Sequence, residues 1–183
     1  MQTIRKIKVK TIQTQSQNQT KSANLVVIEE QSNLPITVKH LNFKRLKNKN
    51  TQGDEAIMTP DEWDVCEREY RRFLALKVMH PDTALVPSKQ VDAIWHAHIL
   101  DTRAYREDCQ AMFGRFMDHY PYFGINGEDN YKMLQEAFAN TIDLYEKQFG
   151  PYPNRSPLDA SRCQDHSCHV PSACACRSPG ACK

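Results

Sequence analysis

The sequence predicts a mainly α protein: a small helical bundle, with a short β-hairpin in an N-terminal extension and an irregular Cys/His-rich tail. Three observations predict it. Apolar residues recur every three or four positions through the middle of the chain. Helix start signals stand ahead of those stretches. Charge and cysteine are distributed in blocks. Residues 1–50 carry ten Lys/Arg against two Asp/Glu, residues 51–150 ten against eighteen, and residues 151–183 four against two. Five of the seven cysteines fall after residue 160. The organisation expected is a basic extension (1–54), an acidic helical core (55–150) and a Pro/Ser/Cys/His-rich tail (151–183).

In the extension, residues 11–24 are nearly all Gln, Thr, Ser and Asn, and such tracts bury too little apolar surface to offset chain entropy. Residues 25–28 (LVVI) and 36–43 (ITVKHLNF) are the strand-like pieces, with a turn at residues 33–35. The competing reading is a segment without fixed structure.

The core opens at Thr59-Pro60-Asp61-Glu62, which has the form of a capping box with Pro at the first helical position. Trp63, Cys66, Tyr70, Phe73 and Leu74 follow at helical spacing, and His80-Pro81 ends the helix. Ser88 is the next N-cap. The stripe Val91, Trp95, His98, Thr102, Tyr105, Cys109, Met112 and Phe116 predicts one long helix that runs through Gly114. After a loop around Pro121, residues 130–149 form the last helix. Tyr131, Leu134, Phe138, Ile142 and Tyr145 lie on one face, and Gly150-Pro151 is the stop.

The densest run of chemically capable residues is Asp92, Trp95, His96, His98, Asp101, Tyr105, Asp108 and Cys109, followed by Phe113-Gly114. This pattern resembles the glycine-rich domain-containing protein-like family, over residues 79–124 and toward residue 149. The resemblance implies a helical domain and no established biochemical activity. With six glycines in all, the chain departs from the glycine-rich tract of the plant members.

His96 and His98 stand about 200° apart on a helix, so they cannot chelate one ion together. Asp92 and His96 share a face, which makes them an orienting pair. A second site could draw on His80, His96, His98, Asp101, Cys109 and His119. The favoured reading is that His98 and Tyr105 are satisfied polar groups of the core and that His96 packs beside Trp95. A nucleophilic Cys109 is weighed against a small buried hydrophobe.

The tail supplies Cys163, His166, Cys168, His169, Cys174, Cys176 and Cys182, thiolates and imidazoles suited to zinc or copper. Disulfides and modification of a Cys/Ser-rich peptide are the rival readings. No apolar segment approaches the roughly 18 residues of a membrane span, and no apolar h-region follows Met1, so a cytoplasmic, reducing setting is expected. The basic extension could meet nucleic acid, although a solvated arm is favoured. The leading expectation is a non-enzymatic binding or scaffold protein whose tail takes up a metal ion and whose helical domain docks a protein partner. The alternatives are an enzyme or accessory using the helix of Trp95 and Cys109, and a precursor modified on its tail. On the leading reading, the purified protein carries zinc or copper and deleting residues 162–183 removes it. Equal metal analysis for the truncated chain would refute that tail assignment.

Overall fold

Helix-forming periodicity extends further toward the N-terminus than the strand-like pattern suggested. A computed structural model of the chain describes residues 33–54 and 56–161. Among them are six α-helices and no strand: α1 (Ile36–Lys39), α2 (Lys44–Thr51), α3 (Pro60–Met79), α4 (Lys89–Leu100), α5 (Thr102–Phe113) and α6 (Gly127–Phe149). A short 3-10 turn, Pro157–Asp159, follows. None of these helices is long and apolar enough to cross a membrane.

The expected strand at residues 36–43 is instead α1 and the turn that follows it. A strand would place Ile36 and Val38 on one face, yet Ile36 is 63% exposed and Val38 fully buried. Val38, Leu41 and the later Leu46 are buried together, and Pro35 leads into the helix. A short apolar run does not distinguish helix from strand by period alone. What fixes this segment is Arg71 of α3. Its guanidinium donates to the carbonyls of Val38 (2.8 Å) and Leu41 (3.0 Å), and lies over the ring of Phe43. Val38 O otherwise accepts only turn bonds, such as that from Leu41 N at 3.4 Å, and a cation is favourable at a helix C-terminus. The proposed partner strand, residues 25–28, lies outside the described residues.

Helix α3 starts as its capping box requires. Thr59 Oγ1 accepts from Glu62 N, and Thr59 N donates to the Glu62 carboxylate at 2.8 Å. That hydrogen bonding holds the Glu62 carboxyl below its ordinary pKa. Trp63, Tyr70, Leu74 and Leu76 are fully buried, which makes α3 the central element. Across to α6, Tyr145 accepts from Arg72 at 2.5 Å and donates to Glu69 at 2.6 Å.

The single long helix expected from residue 88 onward is two helices. Asp101 leaves helical geometry (φ −82, ψ 67), and its Oδ1 accepts from Ala104 N as the cap of α5. A carboxylate that bonds the backbone ahead of it competes with helix continuation. Gly114 then ends α5 in the left-handed region (φ 66), where glycine has no steric penalty. In the sequence the period runs on across both breaks and did not reveal them, although Thr102 and Phe116, the stripe positions just past each break, are exposed.

The packed domain also extends beyond Gly150. Ala160 forms an antiparallel bridge with Ser88, Ser161 N donates to Pro87 O at 2.9 Å, and both residues are buried. Ala160 joins Val86, Leu134, Phe138 and Ile142 in a smaller apolar cluster beside the main core.

Gly124 connects the loop after α5 to α6. Its φ is +83, and a Cβ there would meet Leu134 Cδ1 at 2.6 Å. Gly124→Ala is expected to destabilise the fold by about 2 kcal/mol or more, through strain and overpacking together. Denaturant unfolding measures this, and a change under about 0.5 kcal/mol, the range of ordinary surface substitutions, would refute it.

Candidate metal centre

Asp92 and His96 stand one turn apart on α4, as their spacing predicts, with Asp92 only 2% exposed. His119 comes from the loop after α5. Two hydrogen bonds bring that loop onto α4: Trp95 Nε1 donates to Tyr105 Oη at 3.0 Å, and Tyr105 Oη donates to Met117 O at 2.7 Å. Burial pushes the Tyr105 hydroxyl well above its ordinary pKa, so it remains a donor. The His119 ring then packs edge-on against Trp95, with centroids 4.9 Å apart.

The result is a three-residue cluster. His96 Nε2 lies 3.0 Å from His119 Nε2 and 3.4 Å from Asp92 Oδ2, and His119 Nε2 lies 3.9 Å from Asp92 Oδ1. A tetrahedral zinc ion with bonds of about 2.0–2.1 Å sets its donors about 3.3–3.4 Å apart, so the three separations bracket such a site. Ser161 Oγ donates to Asp92 Oδ2 at 2.9 Å and orients the carboxylate from outside. Asp92, His119 and Ser161 line one wall of a pocket of about 190 Å³, with Lys77, Asp118 and Tyr120 among its polar groups.

The other residues singled out from the sequence do not join this cluster. His98, on the opposite face of α4, is 1% exposed. Its Nδ1 lies 2.9 Å from Tyr70 Oη and its Nε2 3.1 Å from Asp108 Oδ2. An ionised carboxylate only accepts, so Nε2 carries the proton and Nδ1 accepts from the tyrosine. Burial raises the Tyr70 hydroxyl far above its ordinary pKa, which keeps it a donor. Both ring nitrogens are thus engaged within the core. Cys109 is fully buried, and burial raises its thiol, which keeps it protonated and argues against a nucleophile. Asp101 caps α5, and His80 caps α3 through its N–H to Leu76 O. Of the second candidate set, only His96 and His119 meet. The remaining ligand is Asp92, which the spacing marked as a partner of His96. Ser161 stood out in the sequence only as one of the tail serines, with no sign of a tie to Asp92, because that tie depends on the chain returning to α4. The tail set, Cys163, His166, Cys168, His169, Cys174, Cys176 and Cys182, lies outside the described residues.

Fold and cluster define a small helical domain built around a central helix, with a carboxylate and two imidazoles drawn together at one side. The chain belongs to the UCP032817-like family, whose model matches residues 35–143, a span that contains all three cluster residues. It is also 32% identical over 85 residues to Glycine-rich domain-containing protein 1 of Arabidopsis thaliana, in agreement with the resemblance read from the α4 and α5 motifs. That match covers 44% of this chain and 10% of the relative, so the chain spans about a tenth of the relative's length. No solved structure matches the chain.

The His98 arrangement has a stability consequence. Tyr70→Phe leaves a buried imidazole nitrogen without its donor and is expected to cost about 1–3 kcal/mol. Thermal unfolding should show a midpoint lower by roughly 2–4 °C per kcal/mol. An unchanged midpoint would mean that the Tyr70–His98 bond adds nothing.

Proposed function

We propose that the helical domain is a non-enzymatic binding unit for a divalent transition metal, with Asp92, His96 and His119 as its protein ligands. The observation that carries this is the convergence of three donor atoms from two separate elements, all within 4.8 Å of one another, around a buried carboxylate. Two imidazoles and one carboxylate suit zinc and ferrous iron, and with zinc three protein ligands leave a coordination position open. The Cys/His tail is a second and softer ligand set, suited to zinc or copper. The pocket beside Asp92 and His119 gives the open position access to a further donor.

Zinc binding to the folded domain stabilises it by linkage. At free zinc near one hundred times the dissociation constant the gain is about 2.7 kcal/mol. For a chain of this size that raises the midpoint of thermal unfolding by roughly 5–10 °C. The measurement uses the full chain with its five tail cysteines changed to Ser, so that tail binding does not contribute. His96→Ala with His119→Ala should abolish the shift. The same shift in that double variant, or none in the parent, would overturn the proposal.

A further inference from the structure

We propose that the pocket beside the Asp92–His96–His119 cluster takes a small organic carboxylate, one oxygen of which fills the open position of the bound ion while Lys77 meets the negative charge. The inference rests on the metal reading of the cluster and adds the chemical class of the ligand received there. Asp92 and His119 both line the pocket, so an ion held between them borders it. The pocket volume of about 190 Å³ is several times the roughly 30 Å³ share of one water, which gives room for a small organic molecule.

Charge selects an anion. A divalent ion with one carboxylate and two neutral imidazoles leaves a centre of net positive charge. Lys77, from the last turn of α3, adds a second positive charge to the pocket wall, against the one carboxylate of Asp118. The Lys77 ammonium is half-buried and makes no hydrogen bond or ion pair among the described residues. Burial lowers its pKa, and Arg115, which lines the adjoining pocket with it, lowers it further. An ammonium in that position gains from an anionic partner, because a partly desolvated charge is costly until it is paired. Much of the remaining wall is apolar, with Leu85, Trp95, Phe123 and Leu134 among its side chains. The ligand that matches this lining joins a carboxylate to a short apolar body.

The test uses the full chain with its five tail cysteines changed to Ser, loaded with one equivalent of cobalt(II), whose visible bands report its ligands. Butanoate should shift those bands saturably, and butanamide, its neutral counterpart, should not. Butanoate should also bind at least about fourfold tighter than acetate, since each buried CH₂ adds about that factor. Lys77→Met should weaken butanoate binding about tenfold or more, compared at full cobalt occupancy, and Lys77→Arg should restore part of the loss. Equal responses to butanoate and butanamide, or equal affinities for butanoate and acetate, would overturn the inference, because the ion would then take a ligand without the pocket. Unchanged butanoate affinity in Lys77→Met would overturn it too. Bound cobalt that responds to neither carboxylate would overturn it while leaving the metal reading intact. No cobalt uptake, or uptake that survives His96→Ala with His119→Ala, would overturn both.

Discussion

At Asp101 the chain stops extending α4 and turns back as α5, and the contacts around the candidate site depend on that reversal. Trp95 and Tyr105 are ten residues apart, as are His98 and Asp108. In one continuous helix each pair would be separated by about 15 Å along the axis. In the folded chain their polar atoms lie 3.0 and 3.1 Å apart. The reversal lets Tyr105 grip both α4 and the loop at Met117, and that grip delivers His119 to His96. The Asp101 side chain favours the reversal by accepting from the first turn of α5, from a position just outside the apolar stripe.

Much of the helical architecture was legible because its signals are local. Thr59 with Glu62, Ser88, the His80-Pro81 stop and the Gly150-Pro151 stop each act within one turn of the chain, and the structure uses all of them. The misreadings arose where distant contacts decide. The apolar residues at 38, 41 and 43 are compatible with either period, and a guanidinium some thirty residues away settles the matter. Asp101 and Gly114 did carry local signals, a cap residue and a helix-ending glycine. An unbroken apolar period masked both.

The same distinction governs the site. That His96 and His98 face opposite ways follows from helical geometry alone, and the structure separates them into a half-buried cluster and a buried knot. Asp92 with His96 is equally local. The arrival of His119 and Ser161 is not, because each is delivered by loop packing that no spacing rule encodes. Residue chemistry identified groups able to act, and tertiary structure determined which of them meet.

The tie from Tyr105 to Met117 has a consequence for how an occupant would be received. Trp95, Tyr105 and the edge-on His119 ring hold the donor atoms together through protein contacts alone. Small zinc modules are commonly unstructured until the ion arrives, so part of their binding free energy goes into folding. Here the receptive arrangement already coincides with the folded state. The fraction of molecules competent to bind is therefore close to the fraction folded, and intrinsic affinity is not diluted by a conformational equilibrium. Occupancy would report ion availability in the surroundings, and the ion would add stability to a domain already folded without it.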